Sequence, residues 1–462
     1  MSDPRRWIRD HRERFRRELD EFLRIPSISA NPAHAGDVRR TADWLAGRLV
    51  DAGLESQVFP TEGHPVVLGE WRGAPGAPTV LVYGHYDVQP PEPLDEWISP
   101  PFEPQVRDGR IYARGSADDK GQLYMHVKAL EAHLATRGSL PVNVIVLAEG
   151  EEEVSSVNLV PFVEQHAERL ACDVVVVSDS GMFAEGVPSL LVSLRGLFYF
   201  EIHVRGARSD LHSGEYGGAV ANPGIALARI LASLHDEHGR IAIPGFYDDV
   251  RDWDAETRAR FRELPHDDEA FRSELDVPAL WGEEGYGTLE RLWIRPTCDV
   301  NGILCGYTGP GAKTVLPNRA MAKLSFRLVP DQSPDRVREL VAEHVRRVTP
   351  PGVSVEVREL HHARPWRARV EGAAYEAAAA AFEKVLGKRP VPMGGGGSIP
   401  IVIELEERLG APAVLVGFSL PGCNLHAPNE WLAVDSFDEG IEVLAVLYDE
   451  LAAAERTASA AR

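Results

Sequence analysis

Four stretches of the chain are continuously aliphatic and do not alternate: PTVLVY (78–83), VNVIVLAE (142–149), DVVVVSD (173–179) and PAVLVGF (412–418). Runs of this length, bounded by turn residues, predict strands buried on both faces, as in a parallel sheet covered by helices. Between the first two lies DDKGQLYMHVKALEAHLATRG. Its Leu123, Val127, Leu130 and Leu134 recur at helical spacing, and Gly138 can end the helix. Strand, helix, strand is the crossover unit of an α/β domain.

The pattern changes near residue 190. LLVSLRGLFYFEIHVRGA alternates as a half-exposed strand does, and ANPGIALARILASLHDEHG reads as a helix. A charged, Trp-containing insertion (246–290) follows, then the alternating strand AKLSFRLVP, the helix SPDRVRELVAEHVRRV and the strand VSVEVREL. This is a separate α+β segment set into the α/β domain, which resumes with EGAAYEAAAAAFEKVLG and closes with the helix DEGIEVLAVLYDELAAAE. The reading gives 1–192 and 367–462 as two parts of a catalytic domain and 193–366 as an inserted one. The N-terminal MSDPRRWIRDHRERFRRELDEFLRIPSIS mixes Arg with acids and reads as an amphipathic helix ending near Pro26, not as a targeting peptide.

With 462 residues the chain exceeds what one compact core holds, so two domains are expected. A formal net charge of −21 argues against nucleic acid or an anionic membrane as partner. No apolar run reaches membrane-spanning length. The four cysteines (Cys172, Cys298, Cys305, Cys423) form no Cys-x-x-Cys pair, which fits a reducing, cytoplasmic setting.

Reactive side chains gather where the buried strands stop. VLVYG runs into His85 and Asp87, two apart and so on one face of an extended segment. The other runs lead to EGEEE (149–153), to Asp179 and, after a loop, to His426 in GCNLHAPNE, while Asp118 and Asp119 open the helix after the first strand. Open α/β sheets bind ligands beyond the carboxyl ends of their strands. Singly, each residue has an ordinary explanation: a polar turn, a helix cap, a surface loop. Jointly, imidazoles and carboxylates suit Zn²⁺, Mn²⁺ or Co²⁺, and this many donors suggests two ions sharing a carboxylate.

GHYDVQP, GSADDKG, EGEEEVSS, VVSDS, DLHSGEYGG, AKTVLP, GGSIP and NLHAPNE resemble, in order and over nearly the whole chain, the motif series of the M20 metallopeptidases. DLHSGEYGG points to the branch of cytosolic non-specific dipeptidase and carnosinase. The resemblance implies a mostly parallel-sheet, di-metal α/β catalytic domain with an inserted α+β lid and dimerisation domain. It implies that His85, Asp118 and Asp179 hold one ion and Asp118, Glu153 and His426 the other, with a cis peptide from Asp118 to Asp119. Asp87 would accept from the ring of His85. Glu152 would be the general base acting on a metal-activated water, although three consecutive acids in EGEEE leave room for a one-residue slip.

His212 of DLHSG would stabilise the oxyanion from the neighbouring subunit of a homodimer; an ordinary turn residue is the alternative. Arg327, Thr314, His361, Gly396, Gly397 and Ser398 would hold the carboxylate of a small peptide. For GGGGS a flexible linker is the alternative, but its place before IPIVIELEERLG favours anion binding. The reaction implied is hydrolysis of dipeptides or short peptides. Its nearest rival is deacylation of N-acyl amino acids on the same site, and a non-catalytic metal binder would have no use for Glu152. No Gly-x-Ser-x-Gly elbow supports a serine hydrolase.

Overall fold

The computed structural model describes residues 3–370, 372–397 and 399–460. Two compact units divide the chain: one comprises the residues up to Val192, Ala368–Met393 and the chain from Ile401, the other Ser193–Arg367 with Gly394–Pro400.

In the first unit the aliphatic runs form a sheet ordered Glu55–Phe59, Val66–Trp71, Asn143–Glu149, Thr79–His85, Val174–Val177, Ala413–Val416, Ser189–Leu194. The strands from Asn143–Glu149 through Ala413–Val416 run parallel. Those outside them pair antiparallel, so the sheet is mixed, with its parallel part at the centre. The short connection 60–65 explains one margin, since it allows an antiparallel return but no crossover. Val80, Val82, Val144, Val146, Val175 and Val176 are fully buried. Both faces of the centre are covered, which is why these runs do not alternate.

Helix Lys120–Arg137 is buried at every position through Leu130 and stops at Gly138, whose φ of 71° is left-handed. Its start lies against the end of strand Thr79–His85 because position 84 is glycine. A Cβ there would meet the Asp119 carboxylate at 2.8 Å and Leu123 at 2.9 Å. The N-terminal helix Pro4–Leu23, capped by Asp3, stops before Pro26. Arg5, Arg9 and Arg12 tie it to Glu442 of the last helix, Val434–Ala460.

The segment expected as one alternating strand after residue 190 is two strands. Ser189–Leu194 is buried throughout and pairs with Ala413–Val416, whereas Gly196–Arg205 alternates buried and half-exposed positions. Arg195 separates them.

The second unit is built on an antiparallel sheet ordered Thr297–Cys305, Arg319–Leu328, Gly196–Arg205, Ser354–Ala363. Phe198, Phe200, Ile202 and Val204 face a core completed by helices Pro223–Ala232 and Pro334–Val348. Leu197, Tyr199, Glu201 and His203 lie half-exposed on the other face. Among the described residues no helix is long and apolar enough to cross a membrane.

One buried group gives the first unit a readable pH dependence. The His126 ring lies between Tyr448 Oη (2.8 Å) and Ser178 Oγ (2.7 Å), and burial pushes its pKa down to about 3. Between that value and 6.5 the unfolded chain binds the proton and the folded one does not. Stability therefore falls as pH drops through this window, by up to about 1.4 kcal/mol per pH unit. In denaturant titrations the wild type should lose stability relative to His126→Gln as pH falls from 6.5. A difference that stays constant with pH contradicts this.

Candidate metal centre

The parallel strands all point their carboxyl ends to one edge of the sheet, and the polar residues that follow them meet there. His85 is the last residue of its strand and fully buried. Asp118 comes from the turn before helix Lys120–Arg137, Asp179 lies just beyond Val174–Val177, and Glu153 lies beyond Asn143–Glu149. His426 sits in a loop with φ 59°, between Ala413–Val416 and Trp431–Ala433.

Asp118 is the common element. Its Oδ1 lies 3.1 Å from His85 Nε2 and its Oδ2 2.9 Å from His426 Nε2. His426 Nε2 also lies 3.4 Å from Glu153 Oε2. Two groups thus have their ligand atoms within 4.8 Å of one another: His85, Asp118 and Asp179, and Asp118, Glu153 and His426. The Asp118–Asp119 peptide is cis. Within EGEEE the acids part company. Glu153 accepts from Gln89 (2.8 Å) and joins the second group, whereas Glu152 belongs to neither. Glu151 accepts from the main chain of His64 and from Asn158, and Glu149 accepts from Tyr83 and Ser156.

Asp87 is fully buried and does more than face its neighbour's ring. His85 Nδ1 lies 3.2 Å from the main-chain oxygen of Asp87 and 3.5 Å from its Oδ1. The carboxylate itself accepts from the main-chain N–H groups of Glu152 and Glu153, both at 3.2 Å. One residue thereby ties His85 to both glutamates.

The electrostatics fit cations. Burial, with the charges of Asp179, Glu153 and Asp118, pushes the Glu152 carboxyl up to about 8 against the pull of His85. Burial and the Asp118 charge likewise push Glu153 to about 7 and Asp179 to about 6. Burial alone would raise Asp118, but hydrogen bonds from His426 and His85 hold it below the usual carboxylate range. Hydrogen bonding to Asp118 lifts His426 to about 9 despite burial. Acids crowded in this way are what divalent ions, held by carboxylate and imidazole, would relieve.

In the second unit, exposed His212 accepts from Gly214 N–H, and its strand Leu211–His212 pairs with Val315–Leu316 beside Thr314, whose carbonyl accepts from Ser213. Arg327 and His361 lie on the two strands flanking Gly196–Arg205, opposite Leu197 and Tyr199 and so on one face; His361 stacks on Tyr199 at 5.3 Å. Gly396 and Gly397 follow strand Val391–Gly395, and their carbonyls accept from Arg195 Nε and N, each at 3.1 Å. Ser398 lies outside the described residues. Arg195 escaped the sequence reading. It is nearly buried, and burial together with the Arg327 charge lowers its pKa to about 10, so one guanidinium sits at the glycine turn. Its signal was the charge in the middle of an otherwise apolar LLVSLRGLFYF.

Fold and ligand cluster together fit a class, the metal-dependent hydrolases, which includes the metallopeptidases. The sequence profile of peptidase family M20/M25/M40 matches residues 81–450, and the chain belongs to that family. It is 31% identical to a Cys-Gly metallodipeptidase of Schizosaccharomyces pombe over 457 residues, covering 96% of each chain. The crystal structure of human carnosine dipeptidase 1 superposes with a TM-score of 0.83 at 30% identity, covering 97% of this chain and 98% of that one. An M20 family metallo-carboxypeptidase from Sulfolobus solfataricus gives 0.82 at 36% identity, covering 94% and 98%.

Proposed function

We propose that the protein is a metal-dependent hydrolase of dipeptides or short peptides with a free C-terminal carboxylate. The observation that carries this reading is the pair of ligand groups sharing Asp118, with Glu152 beside them but in neither. Full-length similarity to a metallodipeptidase and to a carnosine dipeptidase supports it.

His85, Asp118 and Asp179 would hold one divalent ion, Zn²⁺, Mn²⁺ or Co²⁺, and Asp118, Glu153 and His426 the other. When bound, such ions supply Lewis acidity, making a water more acidic and polarising the scissile carbonyl. Glu152 takes the proton of the attacking water and passes it to the leaving nitrogen. Asp87 holds the main chain of Glu152 and Glu153, so base and ligand keep a fixed spacing. Arg327, His361, Thr314, Gly396, Gly397 and Ser398 recognise the substrate carboxylate, and Arg195 joins them at the glycine turn.

His212 acts on the oxyanion of a partner subunit's substrate. The edge strand Thr297–Cys305, which leaves Val300, Ile303 and Leu304 exposed, offers an apolar surface for such a homodimer. Mixing His212→Ala and Glu152→Gln protomers should restore about a quarter of wild-type activity, because half the dimers then carry one complete site. If His212 serves its own subunit, mixing restores nothing.

The test of the reaction is amine release by chelator-stripped protein reloaded with Zn²⁺ or Mn²⁺. Dipeptides, longer peptides and N-acetyl amino acids form the substrate panel. Metal-dependent cleavage of dipeptides is expected; cleavage of N-acetyl amino acids alone would move the enzyme to the deacylases of the same family.

A further inference from the structure

Glu430 ends the run NLHAPNE, four residues after His426, and is fully buried. Each of its carboxylate oxygens takes two hydrogen bonds. Oε2 accepts from Arg114 Nη1 (2.7 Å) and Gly115 N (3.0 Å), Oε1 from Ala117 N (2.9 Å) and Asp118 N (3.1 Å). Four bonds saturate a carboxylate. Three of them come from main-chain N–H groups of one turn, an anion cradle built inside the protein.

That turn ends at Asp118. From the other direction, Glu430 is anchored by its own main chain: its carbonyl accepts from Ala113 N (3.2 Å), and Trp431–Ala433 pairs with Arg110–Tyr112. The loop back to His426 is braced as well. Asn424 Nδ2 donates to the Asn429 carbonyl (3.3 Å), and the Asn429 side chain binds the main chain of Glu96 and Ile98, each at 2.8 Å. The bridging carboxylate and the exposed imidazole 2.9 Å from it are therefore held to one side chain.

We infer that Glu430 is a positioning residue for the Asp118–Glu153–His426 cation site, acting by clamping the main chain of Asp118 against the loop that carries His426. The inference rests on the two-cation reading. The competing view is that Glu430 merely neutralises buried Arg114 and so serves the fold. The two views separate because only one of the four bonds goes to Arg114.

The experiment compares wild type, Glu430→Gln, Arg114→Met and the double variant Arg114→Met/Glu430→Gln. Each is stripped of metal and titrated calorimetrically with Mn²⁺ and with Zn²⁺, with Tm and the kcat and KM for a dipeptide measured alongside. In Glu430→Gln one of the two ions should bind at least about tenfold more weakly, with kcat reduced and KM retained. Arg114→Met should keep both affinities even if its Tm falls. The double variant, freed of the unpaired guanidinium, should regain Tm but not the weakened ion. Wild-type affinity for both ions in Glu430→Gln, or its recovery in the double variant, overturns the inference, as does a wild type that binds no second ion. A protein that takes up two ions yet cleaves no dipeptide refutes the proposed reaction and leaves the role of Glu430 standing, because calorimetry reads the ions directly.

Discussion

Replacing Glu152 by Gln should lower kcat by about 10²–10⁴-fold while the protein still binds two divalent ions. The substitution keeps shape and removes only the capacity to take a proton. Glu152 lies outside both ligand groups, and its main chain is held by Asp87 through an N–H that Gln also has. KM should therefore change little, since the substrate carboxylate is assigned to other residues. Glu153→Gln makes the contrast: that side chain belongs to the group with Asp118 and His426, so its loss should release one ion. Steady-state kinetics and metal analysis on both variants decide the matter. A Glu152→Gln protein that turns over at the wild-type rate, or that loses an ion, would exchange the two roles or remove the base from the mechanism. In the active enzyme the rate should rise with pH through the ionisation of Glu152, because only the carboxylate accepts a proton.

Asp118→Ala should abolish binding of both ions and with it all metal-dependent turnover. The carboxylate faces both imidazoles, His85 on one oxygen and His426 on the other, and among the described residues Asp118 alone belongs to both groups. Asp179→Ala and Glu153→Ala should each lose one ion. The fold should survive Asp118→Ala, because the clamp from Glu430 reaches the main chain of residue 118 and the alanine keeps that N–H. Metal analysis after dialysis, with circular dichroism as a control for folding, checks the pattern. Two ions retained at wild-type affinity would show that Asp118 does not bridge.

Both predictions use residues legible as candidates in the linear chain, and their grouping around Asp118 was implied only through the family resemblance. His85, Asp179 and the acids of EGEEE stand out because continuous aliphatic runs end in them, and a strand covered on both faces must deliver its next polar residues to an open edge. The helix from Lys120 and its stop at Gly138 were equally plain, from spacing and from a residue that tolerates positive φ. The split at Arg195 was not plain, because an apolar run followed by an alternating one reads as a single strand until pairing partners are known. Glu430 was also hidden: its acidity is visible, but three of its partners are main-chain N–H groups, which carry no mark in a sequence.

From the sequence alone came the α/β sheet core with an inserted α+β segment, the pool of candidate ligands, the family resemblance and, through it, the chemistry they suggest. These follow from local regularities, the period of hydrophobicity and the residue types at strand ends, which each stretch of chain expresses by itself. Tertiary structure alone decided that the Asp87 carboxylate grips two main-chain N–H groups as well as facing a ring, and that Glu430 clamps Asp118. Those relations join residues far apart in sequence, at separations of 65 to 312 positions. Hydrogen bonds of that kind form only once the strand order has brought the loops together, so no local pattern encodes them.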